Sequence, residues 1–196
     1  MYDYADLIAD YLDGRLIELF SKLKLLTNFD ELNVINSVNE MFTQILAIMK
    51  TSYLLLAKKA YRDERIVKDL KELDEEWVDK LLEAYDATTK VVFINEFERK
   101  ADRLKEAMIS SPTPTKEVDG ALRSLSLMLR GYTIKVTDEA TLQAISDDDE
   151  ELIEWVAEID NRTCPICLAR DNEIYPISKL PPKPHINCRC WFRRVR

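Results

Sequence analysis

Glycine is nearly missing from this chain, with three in 196 residues. A phosphate-cradling glycine loop, a nucleophile elbow and a dinucleotide fingerprint all need more, and none occurs. Histidine occurs once, at His185. A zinc nuclease of the His-Asn-His kind needs a second histidine, and no Glu stands beside the first as an H-E-x-x-H base would. No apolar run approaches the roughly 18 residues of a membrane span; residues 45–49 are cut off by Lys50 and residues 54–57 by Lys58. The opening stretch MYDYADLIADYLD is acidic where a signal peptide is basic and then apolar. A soluble protein from a reducing, cytosolic setting is therefore expected, and an enzyme is not.

What is present favours helices. Hydrophobic residues make up 46% and charged residues 33% of the chain, enough for a real core in one or two domains. Leu7, Ile8, Tyr11, Leu12, Leu16, Leu19, Phe20, Leu23 and Leu26 recur at three- and four-residue steps and predict an amphipathic helix. Asn28 with Glu31 predicts the cap of a second helix that buries Ile35, Val38, Phe42, Ile45, Met49 and Leu56 and runs to about Tyr61. A third helical stretch begins at Leu70, Leu73, Trp77, Leu81 and Tyr85 and continues through Phe93, Phe97, Leu104 and Met108. The β-branched run at Thr88, Thr89, Val91 and Val92 marks a potential break in it.

Pro112 and Pro114 predict the clearest interruption. Beyond them a short helix ending at Gly131 is expected, then another capped by Thr137 and running from Asp138 to about Ile145. The acidic run at residues 147–151 follows, with Asp147, Asp148 and Asp149 read as a solvated loop. Ile153, Trp155, Ala157 and Ile159 alternate with polar neighbours and predict a strand, with residues 173–177 as its partner across a turn at Asp171 and Asn172. The fold class expected is mainly α: an elongated helical bundle or hairpin followed by a small α+β C-terminal module. The divisions are 1–111 for a helical body, 112–150 for a linker with short helices, and 151–196 for the module.

All four cysteines and the single histidine fall in the window C-x2-C-x17-H-x2-C-x-C, at Cys164, Cys167, His185, Cys188 and Cys190. Five soft donors at this spacing suit a structural tetrahedral zinc that takes four. Cys164 and Cys167 form one half-site. The other two donors come from His185, Cys188 and Cys190: an extended chain end would put Cys188 and Cys190 on one face, whereas a tight turn would pair His185 with Cys188. Disulfide pairing belongs to exported chains, and a thiol switch between Cys164 and Cys167 is a weaker alternative. A segment this short cannot bury enough surface to hold itself together, so a bound Zn2+ would staple it.

The residues Trp155, Asp160, Arg162, Thr163, Cys164, Pro165, Cys167 and Pro176, with Pro184, His185, Asn187, Cys188, Arg189 and Cys190, resemble the C-terminal signature of phage minor head proteins, the Mu F-like head morphogenesis family. Asn172 stands where that family usually has glycine, and Ile186 where it commonly has proline. The chain ends six residues after Cys190, so the extra C-terminal domain of larger relatives is not expected. The resemblance implies a virion component in several copies per particle, located in the capsid interior or at the portal vertex and in the host cytoplasm during assembly. It further implies binding to the portal protein and to capsid or scaffold subunits, with a part in head assembly and in DNA packaging or delivery.

Charge divides along the chain. Residues 162–196 hold eight bases and two acids, a balance of +6, and the rest holds 20 bases and 34 acids, a balance of −14. An acidic body disfavours wrapping on DNA. The basic end, through Arg193, Arg194 and Arg196, offers a phosphate contact and an alternative reading as a zinc-stabilised nucleic-acid-binding regulatory module.

Overall fold

A computed structural model describes residues 3–27, 29–66, 73–149 and 151–195. Of the described residues 67% are helical, and the element order follows from where helical periodicity is interrupted. Helix α1 (Asp3–Lys24) buries Ala5, Ile8, Ala9, Leu12, Leu16, Leu19, Phe20 and Leu23. Leu7 and Tyr11, expected on that stripe, face outward instead. Helix α2 (Glu31–Glu64) has 34 residues, about 50 Å at 1.5 Å per residue. Its N-cap is Asp30, whose side chain accepts from the Asn33 N–H; the cap expected at Asn28 lies outside the described residues. Along α2 the inward face holds Val34, Val38, Phe42, Ile45, Met49, Leu56 and Tyr61, with Ile35 only half-buried.

The third stretch is not one helix. Asp74 caps α3 (Glu75–Glu83) by accepting from the Trp77 N–H, as the acidic run at 74–76 favours; Leu70 is outside the described residues. A small antiparallel hairpin, β1 (Tyr85–Asp86) and β2 (Val91–Val92), then separates α3 from α4 (Phe93–Ser110). Asp86 builds the turn by accepting from the Thr88 N–H and the Thr89 hydroxyl. The break thus falls at the β-branched run.

Residues 112–150, expected as a linker with short helices, are dominated by a single 33-residue helix, α5 (Pro114–Ser146), with Pro114 in its first turn. Gly131 does not cap it but sits inside it, buried, and Thr137 bonds back to the Thr133 carbonyl instead of starting a new helix. The physical reason is tertiary: α5 packs against α1, α2 and α4, and Leu125, Leu129, Tyr132, Val136 and Ala140 all lie in the main core. Tyr53 of α2 donates its hydroxyl to the Leu129 carbonyl at 2.8 Å, and Phe93, Phe97, Phe42 and Tyr132 form a connected aromatic set.

The C-terminal region follows: β3 (Leu152–Val156), α6 (Pro165–Ala169), β4 (Ile174–Pro176), a short 3-10 turn (Ile177–Lys179) and β5 (Trp191–Arg194). The antiparallel sheet has the order β4-β3-β5, with Ile153 opposite Tyr175 and Trp155 opposite Phe192. The predicted pairing of residues 153–155 with 173–177 is therefore present, and Asn172 holds φ 62° at the turn before β4. The strand ends before Ala157, leaving Ile159 exposed. Its inward residues Ile153 and Trp155 join Ile145, Phe192 and three cysteines in a second core against the end of α5.

Candidate metal centre

The first pair of donors is set by α6. Cys164 is its N-cap, in extended conformation, and its Sγ accepts from the Cys167 N–H at 3.3 Å; Pro165 follows with its φ already suited to a helix. One turn of helix brings Cys167 back beneath Cys164, so the C-P-x-C geometry turns both thiols toward one point. The other donors arrive on the proline-rich stretch after Leu180. A turn at Ile186 and Asn187, with Asn187 at φ 61°, reverses the chain between His185 and Cys188.

These elements bring all five predicted donors together. The donor atoms of Cys164, Cys167 and His185 lie within 4.8 Å of one another, and so do those of Cys167, Cys188 and Cys190. Cys167 and Cys188 are 3.4 Å apart at sulfur. Zinc–sulfur bonds of about 2.3 Å in a tetrahedron separate sulfurs by about 3.8 Å, so the spacing is of the right order for a shared ion. Cys167, Cys188 and Cys190 are buried, Cys164 half-buried and His185 exposed, and no disulfide joins any of the four cysteines. The donor set of thiols and imidazole fits a soft or borderline cation. Both arrangements left open by spacing are partly realised, because the turn brings His185 toward Cys164 while Cys188 and Cys190 converge on Cys167.

Local electrostatics differ across the cluster. Burial pushes the Cys164 thiol up, but the Cys167 N–H, Cys167 side chain and His185 outweigh it and bring it down to about 7. Burial pushes the Cys167 and Cys188 thiols up. The His185 Nδ1 lies 3.1 Å from the Ile186 carbonyl oxygen. A carbonyl only accepts, so this contact suits the tautomer with the proton on Nδ1, which would leave Nε2 for a ligand.

Three further residues hold the donor segments in place. Asp160 accepts from the Arg162 N–H at 2.8 Å and from Arg189 at 2.6 Å, tying the approach to Cys164 to the segment between Cys188 and Cys190. Lys183 pairs with Asp138 of α5 and donates to the Cys190 carbonyl, with the Cys188 carbonyl at 3.5 Å. Gly131 faces Ile186 across the same interface. Of the three, Asp160 stands among the residues that carry the family resemblance, Gly131 was expected only as a helix cap, and Lys183 carried no signal.

Two of the three terminal arginines are engaged within the fold. Arg193 makes two hydrogen bonds to Glu154, at 2.7 and 2.6 Å. Arg194 is turned inward, where it meets the Asp148 carboxylate, the Glu64 carboxylate at 3.3 Å and the Glu64 carbonyl at 2.9 Å. Arg196 lies outside the described residues. Asp148 in turn takes Arg65 at 3.2 Å and the Ile66 N–H at 3.0 Å, so the acidic run expected as a solvated loop contains a buried carboxylate that anchors β5 to α2.

Compared with known proteins, the chain matches the family model described as phage Mu protein F like protein over residues 95–193, from the first turn of α4 into β5. Neither a curated protein nor a solved structure matches it.

Proposed function

The chain belongs to the phage Mu protein F-like family of phage head structural proteins, and on that premise we propose that it is a minor head component. In this reading it associates with the portal vertex inside the capsid and acts in head assembly and in DNA packaging or delivery. The observation that carries the reading is the family match, which spans the central helix α5 and the whole Cys/His region together. Among the described residues no helix is long and apolar enough to cross a membrane, which suits a component that docks on protein.

The C-terminal region is the stapled part. Cys164 and Cys167, with two of His185, Cys188 and Cys190, would hold one structural metal, with zinc the best match to the donors. A metal bound there supplies rigidity: it fixes α6, the proline-rich loop and the sheet relative to one another. The partners proposed are portal and capsid or scaffold subunits, engaged by binding alone and in several copies per particle.

Co-expression with the portal protein of the same phage tests the role. Capture by the portal ring that survives high salt is expected, because apolar helical faces make the contact. Absence of capture, alongside salt-sensitive binding to DNA, would overturn it in favour of the nucleic-acid module. Metal content and native thiol reactivity on the same protein, purified without chelator, test the staple: about one metal per chain with protected thiols is expected for a four-ligand site.

A further inference from the structure

One loop serves two purposes. Residues 183–190 carry three of the five candidate donors, and the same residues touch α5 at two places. At the first, Ile186 lies over Gly131: a Cβ added there would sit 2.3 Å from Ile186 Cγ1, 2.6 Å from its Cδ1 and 3.5 Å from Asn187 Oδ1. At the second, Lys183 reaches Asp138 of α5 in a buried ion pair while its ammonium also serves the carbonyls of Cys190 and Cys188. From Leu180 to Cys190 the chain follows no helix or strand, so its shape comes from what it leans on.

We propose that the metal site is composite, with α5 as one of its walls: Gly131 and Asp138 position the donor loop, and the helical body sets the metal affinity of the C-terminal region. The proposal rests on the reading that the Cys/His cluster binds a metal. Neither residue is a ligand. Gly131 acts by having no side chain where Ile186 must lie, and Asp138 acts through Lys183, which holds the backbone on both sides of Arg189. A loop held against α5 before metal arrives loses less freedom on binding, which raises affinity through preorganisation. Linkage requires the converse, so metal tightens the docking of the C-terminal region on the bundle. An interior helical glycine is otherwise unfavourable relative to alanine, and this docking accounts for it.

The test uses the full chain, with Zn2+ titrated against a chromophoric chelator and Co2+ as a spectroscopic stand-in. Gly131→Leu should lower zinc affinity about tenfold, within the usual range for coupled sites, while far-ultraviolet circular dichroism keeps its helical signal. The thiolate-to-cobalt absorption should keep its shape at saturating Co2+, because the donors are unchanged. The size exchange Gly131→Leu with Ile186→Ala should recover most of the lost affinity. Wild-type affinity in a folded Gly131→Leu chain, or no recovery in the double variant, would overturn the proposal. If Gly131→Leu loses helix, Asp138→Asn decides alone, since it leaves the helical seat intact: weaker zinc binding supports the composite site and unchanged binding overturns it. A native chain that binds neither Zn2+ nor Co2+ would instead overturn the metal reading itself.

Discussion

At the scale of single residues, the side chains around the thiols do more ordering than the thiols themselves. Asp160 caps its own turn through the Arg162 N–H and reaches across to Arg189, which stands between two donors. The Arg189 hydrogen bond above all, then the Arg162 N–H, holds its carboxyl down to about 2, against an ordinary 3.8. A depressed carboxylate contributes stability that is fully present above the ordinary value and is lost as pH falls through the folded one. The stability contributed by the Asp160 contacts should therefore fall away from about pH 3.8 downward, with the carboxyl itself titrating at about 2. Carbon-13 NMR of the Asp160 carboxyl in the native chain measures this directly, and a midpoint at the ordinary value would show that the Arg189 contact does not form. Arg194 illustrates the same economy: a terminal arginine that charge counting assigns to phosphate is used to neutralise Asp148 inside the fold.

Among the elements, legibility followed the range of the interaction responsible. The stripes of α1 and α2 and the break at Pro112 and Pro114 are set by neighbours a few residues away, so periodicity and proline reveal them. Strand β3 and its partner β4 were readable from alternation and a turn. The continuity of α5 was not, because what keeps Gly131 and Thr137 helical is packing against α1, α2 and α4 and the approach of Ile186 from 55 residues away. The clustering of the five candidate donors was legible because all of the chain's cysteine and histidine falls in one window, whereas their supports, Lys183 and Asp138, look like ordinary surface charges in a sequence.

The turn into β4 makes the point testable. Asn172 adopts φ 62° and donates its N–H to the Trp155 carbonyl at 2.8 Å. Glycine should replace it with little loss, whereas Asn172→Val should destabilise the C-terminal region by about 1–2 kcal/mol through the left-handed backbone. Thermal melts followed by near-ultraviolet circular dichroism distinguish the two, and equal effects would mean the turn relaxes to another conformation.

For the whole molecule, the two cores differ in what holds them. The larger runs through α1 to α5 and is built of aliphatic and aromatic side chains. The smaller has eight buried members, of which Cys167, Cys188 and Cys190 are three, so apart from the proposed ion it has few apolar side chains to hold it. The family match begins in α4 and ends in β5, so it keeps α5 with the small core while α1 to α3 lie outside it. That division suggests α5 belongs to both: it is the spine of the bundle and the seat of the Cys/His region.

If the cluster holds the proposed metal, removing it should unfold the molecule in part and in order. A strong chelator, or Cys167→Ser, is expected to release residues 151–195 while the helical signal of α1 to α5 largely persists. Trp155, fully buried against Tyr175 and Phe192, should shift its fluorescence to the red. Hydrogen exchange should then rise in β3, β4 and β5 and in the last turns of α5, but not in α2. Simultaneous loss of helix and sheet would mean that the two cores form one cooperative unit, and unchanged exchange in the sheet would mean that packing alone holds the C-terminal region.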